Sequence, residues 1–262
     1  MFSLKEYITA KSLQEAYELL NKNKNNVVLG GLLWLKMGNK NYNMGIDLSQ
    51  LGLDTIIENE SQIEIGCMTT LRQIETSSVL NTYFDGIVAG SVKDIVGVQF
   101  RNCATMGGSV YSRFGFSDLL TALLALDTYV HMHAGGTIPL EKFINMPYQK
   151  DILVKIVIKK NGCQASYNSH RMTATDFPIL AVAISRCATN WKIAVGARPN
   201  KAALATRAST LLPQNPTKED IESACEAVTH ELNFGTNLRG SAAYRKQLAK
   251  VLVKRGVEEI CR

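Results

Sequence analysis

Apolar and polar positions along the first half of the chain alternate between two periods, and the periods set the expected elements. The N-terminal stretch reads as a short strand or turn. Leu13, Ala16, Tyr17 and Leu20 then recur at helical spacing behind Ser12, a candidate cap, and predict an amphipathic helix. Val27-Val28-Leu29 is an apolar strand running into Gly30-Gly31, and Met44 to Leu51 reads as a strand and turn. Asp54 to Glu75 reads as two strands joined by a polar turn, with a helix beginning at Thr69 or Thr70. Residues 79–95 predict a further helix. Ser117 to Leu126 predicts a helix capped by Ser117 with Asp118 in its first turn. Thr128 to His133 alternates as a strand, and Gly135 to Ile144 reads as a turn plus a short helix.

From about residue 151 the texture changes. Asp151 to Lys160 alternates as a strand, and the residues beyond it suggest a second, α+β unit. Thr217 with Asp220 three positions on is a capping signature ahead of a helical period. Asn237 to Ile260 predicts a final amphipathic helix with Leu248, Val251 and Leu252 on one face. The boundary falls near residue 162, at Asn161-Gly162. No internal repeat and no low-complexity segment interrupts the chain.

Length and composition add limits. The 262 residues suit one large domain or two modest ones, and 46% hydrophobic with 20% charged residues is ordinary for a soluble globular protein. The net charge of +6 is spread along the chain, which reads as a solvated surface or as a groove for an anionic cofactor. No reader motif accompanies it, so nucleic acid is not an expected partner. No apolar run approaches the ~20 residues of a membrane span, and no basic stretch precedes an apolar core as in a secretory signal. A cytoplasmic protein without membrane contact is expected. The six cysteines form no CxxC pair, so neither a zinc site nor an iron–sulfur cluster is signalled. Buried, reduced cysteines are the expectation, and any iron–sulfur centre in the system would sit on another chain.

The residues with chemical promise are two glycine loops. Gly30-Gly31 follows the apolar strand, and Thr105-Met106-Gly107-Gly108-Ser109 lies downstream. Without a Cβ, glycine lets a backbone approach a ligand and point consecutive N–H groups at an anion such as a pyrophosphate. Two such loops either clamp a dinucleotide from both sides or are merely tight turns. Neither matches GxGxxG or GxxxxGK[ST], which disfavours a Rossmann unit or a P-loop. Asp118 lies nine residues after Ser109 and either accepts hydrogen bonds from cofactor hydroxyls or belongs only to its helix terminus. His131 and His133 alternate on a strand with no carboxylate spaced to complete a metal site. No candidate nucleophile or paired-carboxylate system appears, so no catalytic side chain and no metal ligand is assigned.

Six collinear segments resemble one family. FRNCATMGGSVYSRFGFSDLLTALLALDTYV is similar to the RNxATIGGN…D…ALLALDA signature of the FAD subunit of xanthine dehydrogenase, carbon monoxide dehydrogenase and related molybdenum hydroxylases. LGGLLWLKM resembles the family's first flavin loop, MGIDLSQLGLDTI its LIDLSRLPEL strand, and IGCMTTLRQIE its IGAxTTxxxIE segment. RMTATDFPILAVAIS and NLRGSAAYRKQLAKVLVKRG resemble two further patterns in the second unit, so the likeness covers nearly the whole chain.

The resemblance implies an α+β chain. An FAD-binding module of two α/β subdomains (about 1–55 and 56–162), like that of vanillyl-alcohol oxidase, would precede a C-terminal α+β domain over 163–262. It implies that Leu29, Gly30, Gly31, Leu32, Leu33 and Trp34 hold the pyrophosphate and neighbouring FAD groups through backbone donors. Thr105, Gly107, Gly108 and Ser109 would line the second clamp, and Asp118 would bind ribityl or ribose hydroxyls. Gly66 with Thr69 and Thr70 would border the same groove, Leu153 would pack on the flavin ring, and Arg171 and Asp176 would lie on the flavin side. Several positions depart from the pattern. Leu32 and Leu33 replace polar residues, Ser109 replaces asparagine, Arg113-Phe114-Gly115-Phe116 replaces a small proline-containing loop, and Asn168 stands where many relatives carry a lysine. Tyr111 or Phe114 either shields the flavin or simply packs.

The implied function is electron relay. Partner subunits carrying [2Fe-2S] clusters and molybdopterin would feed the FAD, which would pass electrons to NAD or another acceptor. Two other readings stay open: a flavin-free scaffold in the same kind of complex, and a standalone nucleotide-binding oxidoreductase.

Overall fold

The structure is a computed structural model, described for residues 2–262. Ser3–Thr9 (β1), Leu13–Lys22 (α1), Val27–Leu29 (β2), Leu33–Met37 (α2) and Asn41–Asp47 (β3) make the first layer. The strands are parallel in the order β1-β3-β2, so helices must cross between them. Helix α1 starts where its pattern predicts: Ser12 Oγ accepts from Glu15 N at 3.1 Å, and Ala16 and Leu20 are buried. Strand β2 is a short edge strand whose C-terminal end delivers the first glycine loop.

The second layer is longer. It comprises Ile56–Glu58 (β4), Gln62–Gly66 (β5), Leu71–Thr76 (α3), Ser78–Thr82 (α4), a 3₁₀ turn at Phe84–Gly86, Ile87–Val92 (α5), Val98–Cys103 (α6) and Met106–Tyr111 (α7). Asp118–Ala125 (α8), Thr128–Met132 (β6), Gly136–Pro139 (β7), Leu140–Asn145 (α9) and Leu153–Lys159 (β8) complete it. Its five strands are antiparallel in the order β4-β5-β8-β6-β7. Thr70 caps α3 through a reciprocal box with Gln73, as its sequence position suggests. The helix expected over 79–95 is instead cut in three. Phe84, Asp85 and Gly86 all have positive φ, which lets Asp85 Oδ2 accept from Ala165 N at 2.9 Å in the last sheet.

Gln164–His170 (β9), Leu180–Cys187 (β10), Asn190–Gly196 (β11) and Ala203–Leu204 (β12) form that antiparallel sheet, in the order β12-β11-β10-β9. Thr206–Ser209 (α10), Lys218–Glu231 (α11) and Ala242–Ile260 (α12) cover one face. Alternation along β10 divides its side chains: Leu180, Val182 and Ile184 join the core beneath the helices, while Ala183 faces the larger core of the FAD side. Helix α8, wholly buried and apolar apart from Asp118 and Thr121, lies on that small-residue face. Ser185 Oγ donates to Ala125 O at 2.5 Å, and a Cβ on Gly196 would strike Thr121. Helix α8 is therefore shared by both halves of the molecule.

Two sequence expectations are corrected here. Val251 is 44% exposed, because the buried stripe of α12 runs through Ala249, Leu252, Val253 and Val257, and residue 251 falls off it. The cysteines are not uniformly buried and reduced: Cys103 and Cys261 are exposed, and Cys163 and Cys187 are joined as a disulfide with Cα atoms 4.2 Å apart. They face each other one step beyond the last β9–β10 pair, a closeness their sequence separation hides. Among the described residues, no helix is long and apolar enough to cross a membrane.

Candidate flavin site

A cavity of 660 Å³, within the usual range for a cofactor pocket, opens where the three sheets meet. The two glycine loops form its middle. In the first, Gly31 passes so close to the Cys103 carbonyl that a Cβ would overlap it, and at Gly30 a Cβ would lie 3.0 Å from Thr105 Oγ1. Leu32 then takes the left-handed conformation (φ 62°) and enters α2 with no side-chain cap. Such a backbone costs a leucine on the order of 1–2 kcal/mol. The N–H groups of Gly31, Leu32, Leu33 and Trp34 donate to no acceptor among the described residues. Uncapped amides at the start of a helix are an anion cradle.

The second loop is built differently. Thr105 Oγ1 accepts from Gly108 N at 3.2 Å and so caps α7. Met106 N donates to Thr69 O and Gly107 N to Cys67 O, both at 2.8 Å, and Ser109 N donates to Thr105 O. Every one of these amides is committed within the protein. This corrects the symmetrical clamp: Thr105, Gly107, Gly108 and Ser109 do line the cavity, yet they offer hydroxyl and Cα surface rather than free N–H groups. Gly107 is required for packing, since a Cβ there would stand 2.9 Å from the Cys67 carbonyl.

Asp118 lines the cavity at the start of α8, 4% exposed. Tyr167 Oη and Arg171 Nη2 both donate to its Oδ1, the latter at 2.5 Å. Burial pushes its carboxyl up to about 6, opposed by the Arg171 charge and these hydrogen bonds. Arg171 also donates through Nη1 to Asp176 O at 2.5 Å, but its buried Nε has no partner among the described residues. An orphaned guanidinium donor beside the cavity fits a ligand carrying acceptor oxygens. Lys24, Lys40 and Lys150 add positive charge along the wall.

Leu153 and Asp176 also reach the cavity, as do Tyr111 and Phe114. Leu29, Gly66 and Thr69 do not. Leu29 is 5% exposed and faces the core, and Thr69 is fully buried with Oγ1 donating to Thr55 O at 3.2 Å. A Cβ on Gly66 would overlap the Leu53 carbonyl, so this glycine serves strand packing. These three support the wall from behind. Asn168 donates to Glu259 of α12 at 3.1 Å and is not part of the lining. His131 and His133 lie within hydrogen-bonding distance of Thr137 and Gln14.

Sequence reasoning missed two features. One is an aromatic cluster at one end of the cavity: Trp34 lies 5.1 Å from Phe114, 5.2 Å from Phe116 and 6.0 Å from Phe177, centroid to centroid. Three separate segments supply it, and only the atypical Phe114-Gly115-Phe116 stretch hinted at it. The other is Tyr167, which no local pattern distinguishes from an ordinary strand tyrosine.

Residues 1–160 match the FAD binding domain in molybdopterin dehydrogenase, and residues 165–260 match the CO dehydrogenase flavoprotein C-terminal domain. The chain belongs to this family of FAD-binding medium subunits of molybdenum hydroxylases and is an oxidoreductase subunit. It is 24% identical over 275 residues to the 6-hydroxypseudooxynicotine dehydrogenase complex subunit alpha of Paenarthrobacter nicotinovorans, covering 95% of this chain and 92% of that protein. It is 23% identical to the glyceraldehyde dehydrogenase medium chain of Sulfolobus acidocaldarius, with 97% of each covered. In fold it is similar to carbon monoxide dehydrogenase from Hydrogenophaga pseudoflava, with a TM-score of 0.87, 23% identity and 98% of both chains covered.

Proposed function

We propose that this cavity binds FAD and that the chain is the flavin-carrying electron-relay subunit of a molybdenum hydroxylase complex. The observation that carries the proposal is the run of uncommitted N–H groups at Gly31, Leu32, Leu33 and Trp34, beside a buried carboxylate and an orphaned arginine nitrogen. In this reading the four amides, with Gly30, hold the diphosphate. Asp118 accepts from a hydroxyl of the ribityl or ribose part, and Arg171 Nε donates to a ligand oxygen. Thr105, Gly107, Gly108 and Ser109 close the opposite wall, Leu153 offers an apolar surface to the ring, and Leu29, Gly66 and Thr69 brace the loops. Bound here, FAD supplies redox chemistry that no side chain of the chain carries.

Residues 1–162 form the FAD-binding unit and 163–262 the C-terminal unit in this proposal, with Asp118 and Arg171 meeting across them. The partners are an iron–sulfur subunit and a molybdopterin subunit, by analogy with relatives named as medium subunits of dehydrogenases, and the acceptor is NAD or another oxidant. Titrating the purified chain with FAD tests the core of the reading. Saturable uptake that ADP competes away is expected. A chain that stays colourless at every FAD concentration, alone and with its partners, defeats it. That outcome favours a flavin-free scaffold, for which the apolar side chains at Leu32, Leu33 and Trp34 are the supporting observation.

A further inference from the structure

We propose that Tyr167 is a positioning residue of this site: its hydroxyl, carried in on the first strand of the C-terminal sheet, acts with Arg171 to hold the Asp118 carboxylate with its second oxygen presented to the cavity. The proposal rests on the FAD reading above and extends it to a residue outside the cavity wall.

Tyr167 sits on β9, opposite Ala183 of β10, with its ring against the larger core. Its hydroxyl crosses to the start of α8 and donates to Asp118 Oδ1, the atom that also receives Arg171 Nη2. Two donors on one oxygen fix the rotation of the carboxyl, and Oδ2 has no side-chain partner among the described residues. The main chain beneath is fixed too, because Ser117 caps the helix by accepting from Leu120 N at 3.2 Å. Tyr167 does not line the cavity, so it reaches a ligand only through Asp118.

The charges around Asp118 are few. Arg171 faces it from the segment after β9 and Tyr167 from β9 itself, while Ser109 of α7 and Ser117 carry no charge. Asp176 lies one step out and pairs with Arg239 at 3.9 Å. Burial, then the Asp118 charge, holds the Tyr167 phenol well above its ordinary range, so it remains a donor wherever Asp118 titrates. Removing the hydroxyl withdraws a hydrogen bond to the ionised carboxylate, which must raise the pH at which Asp118 protonates. A ligand hydroxyl donates a stronger hydrogen bond to the ionised carboxylate than to the neutral acid, so affinity and its pH dependence move together.

The test is a flavin-fluorescence titration of the full chain with FAD between about pH 5 and pH 8, for wild type, Tyr167→Phe and Asp118→Asn. Wild-type affinity rises as pH passes through about 6. Tyr167→Phe binds roughly tenfold more weakly near neutrality, with its pH midpoint displaced upward, while Asp118→Asn binds weakly at all pH values. A role confined to packing weakens binding without moving the midpoint. A Tyr167→Phe curve that overlays wild type in affinity and midpoint, or loses affinity with an unmoved midpoint, overturns the proposal. Should this variant melt early, 3-fluorotyrosine placed at position 167 preserves the packing, and its more acidic phenol must shift the midpoint downward. Wild type that takes up no FAD defeats the FAD reading instead. Carbon-13 titration of the Asp118 carboxyl in the unliganded chain then still reports whether Tyr167 sets its midpoint.

Discussion

Residues 30–34 and residues 105–109 both turn the chain into a short helix, and both place a glycine where another segment's backbone passes. Gly31 lies against Cys103, and Gly107 against Cys67. The helix after the second loop is capped by Thr105, and its first amides are committed to Thr69, Cys67 and Thr105 itself. The helix after the first loop starts from a left-handed leucine, has no side-chain cap, and leaves its first amides without an acceptor among the described residues. One loop has completed its own hydrogen bonding; the other holds an uncapped terminus in a disfavoured backbone conformation, two costs that an anion would offset. Counting glycines makes the loops equivalent, whereas following each N–H to its acceptor separates a loop with uncommitted amides from a packing loop.

The largest expected effect comes from forcing the first loop away from its support. Gly31→Ala puts a methyl group into the Cys103 carbonyl, which is main chain and cannot rotate aside. A loss of about 3 kcal/mol and abolished FAD uptake are expected. Gly107→Ala meets the Cys67 carbonyl at 2.9 Å, a milder overlap, and should cost about 1–2 kcal/mol while leaving uptake weakened but present. Thermal melts with parallel FAD titrations check both. Uptake lost in Gly107→Ala and kept in Gly31→Ala would reverse the roles of the loops.

A sharper test supplies the missing anion from the protein. Leu32→Asp suits the left-handed backbone better than leucine and sets a carboxylate at the free amides. It should stabilise the unliganded chain by about 1 kcal/mol and weaken FAD binding at least tenfold by occupying and repelling the diphosphate site. Unchanged FAD affinity in this variant means that the amides of residues 31–34 do not hold the diphosphate. Trp34, in the same loop, gives an optical reading. Of the two tryptophans, Trp34 lines the cavity and Trp191 is buried in the C-terminal core at 5% exposure. In a Trp191→Phe background, FAD should quench most of the remaining emission, and in Trp34→Phe it should quench little.

What could be read in the sequence was local. The Ser12 cap, the helix start at Thr69 or Thr70, the Thr217 capping signature and the alternation of β6 are decided by residues a few positions apart, and the structure shows each of them. The glycine loops and Asp118 were visible as residue types, and family resemblance gave them a shared purpose. Their actual division of labour depends on acceptors that local pattern does not reveal. Gly107 N finds Cys67 O, Asp118 finds Tyr167 after 49 residues, and Asp85 breaks a predicted helix to reach Ala165. The cluster of Trp34, Phe114, Phe116 and Phe177 likewise forms only when three segments converge. No periodicity encodes such meetings, because each is fixed by how the three sheets pack.

The smallest predicted effect isolates the packing loop's cap. Thr105→Val keeps the side-chain shape but removes the oxygen that accepts from Gly108 N, at an expected cost of about 1 kcal/mol, while Thr105→Ser should recover most of it. If the second loop acts only as a wall, FAD affinity in Thr105→Val should fall by no more than about fivefold, the equivalent of that cap energy. The pH dependence set by Asp118 should stay where it is. A much larger loss, recovered by serine, would mean that the Thr105 hydroxyl itself touches the ligand. The packing loop would then supply a binding group through its side chain, though its amides remain committed to the protein.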